Sequence, residues 1–290
     1  MRRCLDGCAV ALYAFPHLVT CGDRAALGDV TAAKRAPGMK RWLAVYAAAF
    51  YAFLHLPLLT LAVFSFNSSR FTVWDHFSLV WYRAMFQDAR IVEGTWNSVV
   101  IAVWATVIST IAGTLCAYGL WKRGSRLLTG GLYLSLVTPE IVTGISLLAL
   151  FQWAFRWLHW RLGMYTVVLA HVAFSIAYVV IVVSARLRTI GPTLEEAAMD
   201  LGATEWQAFL RVTLPALLPG IAAAALLAMT VSFDDYVITS MVAGVDSETL
   251  PMVVYAMARR GASPVINAIS ALVTLFFGAL ILISERVRKT

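Results

Sequence analysis

The sequence predicts an all-α, polytopic membrane protein with six transmembrane helices, and three observations carry that prediction. Hydrophobic residues make up 60% of the chain and charged residues 13%, against roughly 45–50% and 25% in soluble domains. Mainly apolar runs lie at 42–65, 96–121, 127–155, 164–185, 213–242 and 266–284. Each has about the 20 residues that a helix needs to cross a hydrocarbon core of about 30 Å. Lysine and arginine then concentrate in alternate connections, the pattern left by positive residues staying on the cytoplasmic side.

Residues 1–38 stand apart from the rest. Arg2 and Arg3 precede a short apolar stretch, Ala9 to Phe15, but Asp6 interrupts it and no convincing small-residue cleavage site follows. The expectation is a disordered extension, or a start placed too early, with Met39-Lys40-Arg41-Trp42 as the natural beginning. Cys4, Cys8 and Cys21 fall in this segment and Cys116 in the second run, which gives no disulfide framework and no metal-ligand spacing. Residues 39–290 then form one transmembrane domain.

Lys34, Arg35, Lys40 and Arg41 precede the first run. Lys122, Arg123 and Arg126 follow the second, Arg186, Arg188 and Arg211 sit in the fourth connection, and Arg286, Arg288 and Lys289 close the chain. The opposite connections carry Arg70, Arg83, Arg90, Arg156, Arg161, Arg259 and Arg260, several offset by Asp75, Asp88, Glu93, Asp246 and Glu248. Both termini and the connection over 190–212 are therefore expected in the cytoplasm. The net charge of +7 follows from this topology. The bilayer is the expected surface, and no basic run with interleaved aromatics points to nucleic acid.

The connection 190–212 is longer than a membrane hairpin requires, so it reads as a docking surface for something in the water phase. Thr193 lies three residues before Glu196 and Thr204 three before Gln207, two capping-box spacings that predict two short helices. Pro192 stops the preceding span from running straight in. Gly202 sits where a left-handed residue ends the first helix, which puts the bend there. Ala197, Ala198 and Leu201 give the first helix a small apolar face, and Glu195, Glu196, Asp200 and Glu205 an acidic one. A partner with a groove and basic groups would fit.

Glu196-Ala197-Ala198, three residues, Gly202, nine residues, then Val212-x-Leu214-Pro215 resembles the E-A-A-x3-G-x9-I-x-L-P signature of permease subunits of binding-protein-dependent ABC importers, with Val212 for the usual Ile. The resemblance implies the type I importer permease fold, and that Glu195, Glu196, Ala197, Ala198, Asp200, Gly202, Glu205, Leu214 and Pro215 couple the chain to a cytoplasmic ATPase dimer. ATP and magnesium would then be bound by that partner and no cofactor by this chain, which carries no G-x-x-x-x-G-K-[ST] phosphate loop. Phe66 to Phe71, Trp81-Tyr82, Pro139 to Val142, Ser232 to Asp235, Leu250-Pro251 and Asn267-Ala268 are similar to the polyamine branch, specifically to its second, C- or I-type, permease. That likeness covers residues 40–290. It implies import of spermidine or putrescine, a different sister permease, and an extracytoplasmic binding protein.

The residues point the same way. An ionisable group inside a span is costly unless it is paired or faces a wet cavity, so Glu140, Asp234 and Asp235 are candidate pathway residues. Glu140 follows Pro139, which frees a backbone carbonyl and opens the helix locally. Ser232 lies one turn from Asp235, and one acid of the adjacent pair is expected to face the path while the other caps, pairs or contacts the sister subunit. Carboxylates and hydroxyls of this kind replace water around a chain of separated ammonium groups. The competing reading for all three acids is a hydrogen-bonded structural role between helices or subunits.

Trp81 and Tyr82 read as interfacial anchors or as contacts to substrate or binding protein. His55 and His171 read as bonded to neighbouring helices. No nucleophile and base, and no metal set, occurs at useful spacing, so the chain is not expected to be an enzyme. The alternatives are an importer of another small solute, such as an opine, an aminophosphonate or ferric ion, and a secondary transporter, although inverted repeats with paired broken helices are not evident.

Overall fold

Two of the apolar runs break, at Thr138-Pro139 and at Asp235-Tyr236, whereas Pro57 and Pro219 lie inside helices that run on through them. The computed structural model describes residues 37–70, 73–158, 161–261 and 263–289, so the expectation for 1–38 lies, but for its last two residues, outside the described residues. The chain divides into two compact units, Met1–Leu59 and Thr60–Thr290. Helix α1 (Pro37–Phe64) supplies the described part of the first unit and runs on past its boundary at Leu59. His55 Nδ1 lies 2.8 Å from the Tyr51 carbonyl in that helix, so its bond is made within α1 and not to the neighbouring helix expected.

In the second unit, Asn67 is buried and organises the connection after α1: its Nδ2 donates to the Val73 carbonyl at 2.9 Å and its Oδ1 accepts from the Asp75 N–H at 3.0 Å. Short α2 (Val80–Gln87) leads to α3 (Ala89–Arg123), whose N-terminus is capped by Asp88. At 35 residues α3 is about 52 Å long, well beyond a bilayer core. Its first end is held by the Arg90 guanidinium, which donates to both Glu248 carboxylate oxygens at 2.7 and 3.0 Å. Asn97 and Ser98 of α3 bond the Glu248 carbonyl and the Leu250 N–H.

The run expected as one span over 127–155 is two helices, α4 (Arg126–Val137) and α5 (Glu140–Leu158), bent by 111°. Thr138 is extended, with ψ 129°, because the residue before a proline is driven out of the helical region. The run over 213–242 also breaks. After α6 (Met164–Ile190) and the polar insert come α9 (Leu214–Asp234) and short α10 (Val237–Val242), parted at Asp235-Tyr236. Helices α11 (Leu250–Arg260) and α12 (Pro264–Lys289) complete the chain. Among the described residues, five helices are long and apolar enough to cross a membrane, six when the bent pair counts as one span.

Helices α3, α6 and α9 form the centre. Ala102, Ala105, Ser109, Gly113 and Ala117 are all buried along α3, and a Cβ at Gly113 would meet Val179 of α6 at 2.7 Å. Small residues let helices approach closely where lipid provides no hydrophobic drive for association. Towards the insert this core continues through Val183, Leu187 and Leu217. Around the two breaks it is built from Phe151, Phe174, Ile238 and Val242.

Candidate functional site

The two helix breaks share a cavity of about 350 Å³. Thr138, Glu140 and Thr143 line it from the α4–α5 break, Thr230, Asp234, Asp235 and Tyr236 from the α9–α10 break, and Phe174 and Tyr178 of α6 form a wall. Glu140 is the first residue of α5, where an acid is favoured by the helix dipole, and its side chain is exposed. Asp234 is the last residue of α9 and is also exposed. Three carboxylates, several hydroxyls and two tyrosine rings around one opening form a wall suited to an organic cation.

Asp235 is occupied differently. Its carboxylate starts α10, accepting from the Thr239 N–H at 2.7 Å and from the Thr239 hydroxyl at 2.7 Å. Buried His171 of α6 bridges the network, with Nε2 2.9 Å from the Thr239 hydroxyl and Nδ1 2.7 Å from the Ser232 hydroxyl. A neutral imidazole protonated on Nε2 satisfies every member: Ser232 donates to His171, His171 to Thr239, and Thr239 to Asp235. The pair is therefore split: both border the cavity, but Asp234 is the exposed one, and the Asp235 carboxylate is engaged in a cap and the histidine bridge. Ser232 is a correction: it is 3% exposed and belongs to the bridge, not to the cavity wall.

Trp81 and Tyr82 lie away from the cavity lining. The Trp81 indole donates to the Asn67 carbonyl at 2.7 Å, and the Tyr82 hydroxyl is 2.8 Å from that of Ser65. Both hold the connection that follows α1. Sequence reasoning passed over Thr239, Tyr178 and Tyr236; only Tyr236 gave a signal, as the aromatic directly following two acids.

The insert comprises α7 (Thr193–Asp200) and α8 (Glu205–Ala208), followed by a π-helical turn, Phe209–Thr213. The expected capping box at Thr193 and Glu196 is absent, because Pro192 already has helix-entry geometry and acts as N-cap, which moves Thr193 into the first turn. The second box is made: the Thr204 N–H donates to Gln207 Oε1 at 3.1 Å and the Gln207 N–H to Thr204 Oγ1 at 3.3 Å. Gly202 has φ +92°. With the Gly202 N–H bonded to the Met199 carbonyl and the Ala203 N–H to that of Ala198, it ends α7 in a Schellman motif. Pro215 lies at the start of α9 and has no N–H to give. The preceding turn widens into a π-helix, in which the Leu214 N–H reaches the Phe209 carbonyl. The second helix thus runs on into α9 and does not stop near Arg211.

Glu195 leaves the expected acidic face. It is 2% exposed, and its carboxylate accepts from the Tyr118 hydroxyl at 2.8 Å, the Thr213 hydroxyl at 2.9 Å and Lys122 Nζ at 2.5 Å. Burial alone would raise its pKa, but these donors outweigh it and hold the carboxyl below the ordinary glutamate value. Tyr118 and Lys122 stand one turn apart in α3 and converge on it; the (i, i+4) spacing was visible in the sequence, the convergence was not. Glu196, Ala197, Asp200, Leu201, Glu205 and Trp206 remain exposed, Leu201 at 91%, whereas Ala198 and Leu214 are half-buried and Pro215 is exposed.

Residues 109–289 match the family described as binding-protein-dependent transport system inner membrane component. Over 246 residues, 82% of this chain and 86% of the relative, the chain is 41% identical to the putrescine transport system permease protein PotI of Escherichia coli (strain K12). It is 34% identical over 243 residues, 82% of this chain and 93% of the relative, to the spermidine/putrescine transport system permease protein PotC of Haemophilus influenzae. The backbone is similar to a chain of a bacterial ABC transporter involved in the import of the acidic polysaccharide alginate, with a TM-score of 0.67 across 87% of this chain and 97% of that one. At 15% identity that likeness is one of fold.

Proposed function

Since the chain belongs to the binding-protein-dependent transport system inner membrane component family and is a multi-pass inner-membrane protein, we propose that it is the second permease subunit of an ATP-driven importer of polyamines. It pairs with a different sister permease. A cytoplasmic ATPase dimer binds ATP and magnesium, and an extracytoplasmic binding protein delivers spermidine or putrescine. The insert and both termini face the cytoplasm, in keeping with the lysine and arginine distribution. Glu196, Ala197, Asp200, Leu201, Glu205 and Trp206 supply its docking surface for the ATPase.

The observation that carries the cargo is the cavity at the two breaks, where Glu140 and Asp234 share one wall with Tyr178 and Tyr236. An ammonium group leaving water needs charge and oxygen ligands in replacement, and a broken helix frees backbone carbonyls to add to them. Hydrolysis by the partner moves the insert, and the motion exposes the cavity alternately to the two sides of the membrane. The test is uptake of labelled putrescine and spermidine into vesicles holding the whole complex. Flux is expected to require both ATP and the binding protein, and a flux driven by the proton gradient alone would overturn the proposal.

A further inference from the structure

Helix α7 is flanked by a positive-φ glycine at each end. Gly191 has φ +73° and Gly202 φ +92°, and a Cβ on either would meet no atom within 4 Å, so neighbouring side chains do not brace these turns. Each turn beside α7 is held by backbone hydrogen bonds, the Gly191 N–H to the Leu187 carbonyl and the Gly202 N–H to that of Met199, with no side chain packed behind it. Yet the buried residue of the helix, Glu195, joins three elements at one carboxylate: α7 itself, the end of α3 through Tyr118 and Lys122, and the π-helical turn into α9 through Thr213.

An aromatic stack runs alongside this junction. Exposed Trp206 lies 5.5 Å from Phe209 between ring centroids, and buried Phe209 lies 4.4 Å from Tyr118. Lys122 Nζ sits 5.8 Å above the Tyr118 ring and 5.4 Å above that of Trp121. Exposed side chains of the insert are thus connected to the end of α3 by two physical routes, packed rings and a bonded carboxylate.

We propose that Glu195 is a positioning residue for energy coupling: with Lys122, Tyr118 and Thr213 it latches the insert to α3 and α9, so that the three move as one body. This rests on the proposed role of the insert as the ATPase docking element. Without the latch, a push on the insert is absorbed by rotation at Gly191 and Gly202, and hydrolysis proceeds without moving the cavity. The role belongs to Glu195 and not to the adjacent Glu196, whose side chain is exposed.

The test uses the whole reconstituted complex and measures putrescine transported per ATP hydrolysed, with assembly checked by size-exclusion chromatography. In E195Q and in K122M the ratio is expected to fall by about two- to thirty-fold, the range over which changes along a coupling network act. K122R, which keeps the cation, is expected to hold the wild-type ratio. An unchanged ratio in assembled E195Q and K122M overturns the latch, as does an equal loss in K122R and K122M. If E195Q does not assemble, the K122M and K122R pair decides by the same criteria. A wild-type complex whose ATPase ignores the loaded binding protein would instead overturn the importer reading itself, and the latch with it.

Discussion

Replacing Asp234 by Asn removes a charge from the cavity wall and breaks no bond among those that hold the α9–α10 break. D234N is therefore expected to assemble normally and to lower uptake of labelled putrescine and spermidine. D235N instead weakens the cap on α10 and the histidine bridge, at a cost of about 1–3 kcal/mol if the Thr239 donors are left poorly satisfied. Its signature is a lower melting temperature and yield before any change in uptake. Wild-type uptake in D234N at matched membrane levels would remove that residue from the path.

Glu195 has a pH signature of its own. Its folded pKa lies below the ordinary glutamate value of about 4.3, so its contribution to stability is complete above that value and disappears as pH falls through the lower folded value. The melting temperature of wild type should exceed that of E195Q at neutral pH, and the gap should close on acidification into the carboxylate range. A gap independent of pH would mean that the carboxylate charge is not what holds the junction. Of the acids in this chain, the sequence made visible that they exist and lie near spans. It did not show which of two neighbours, Glu195 or Glu196, Asp234 or Asp235, turns inward, because helix rotation is set by partners distant in sequence such as Tyr118 and His171.

At the scale of elements, Gly202 is the position where one side chain should do most damage. A residue with a branched Cβ at φ +92° is an outlier costing on the order of 1–3 kcal/mol, relieved only by unwinding the end of α7. In the importer proposed above, G202V is expected to reduce stimulation of the ATPase by the loaded binding protein, and unaffected stimulation would refute this account of the bend. Local signals were legible here: Gly202 ends α7 and the Thr204 box starts α8, both settled within a few residues of chain. The Thr193 box failed because Pro192 competed for the same position. The breaks were only half legible. Pro139 announced a local opening, but a turn of 111° depends on what α5 packs against.

For the whole molecule, composition and run length were enough to give the class, and the fold agrees with it. What they obscured is that two of the six runs are not single helices, since hydropathy averages over a break. The proposed orientation makes a direct prediction: a cysteine at Ala197 should react with a membrane-impermeant thiol reagent only when the cytoplasmic face is open to it. Labelling from the opposite face would reverse the orientation and overturn the proposed docking of an ATPase on the insert.

Helix α3 runs unbroken from the Arg90–Glu248 pair to the Lys122–Glu195 pair, contacts set roughly 50 Å apart on one rod. Under the proposed function this rod reaches both compartments, and thermodynamic reciprocity then binds its two ends. Whatever factor a delivery protein on one face adds to the affinity of the nucleotide-loaded motor on the other, the motor must return to the delivery protein unchanged. The complex would then report on two compartments at once, and neither face would have a single affinity until the occupancy of the other is stated.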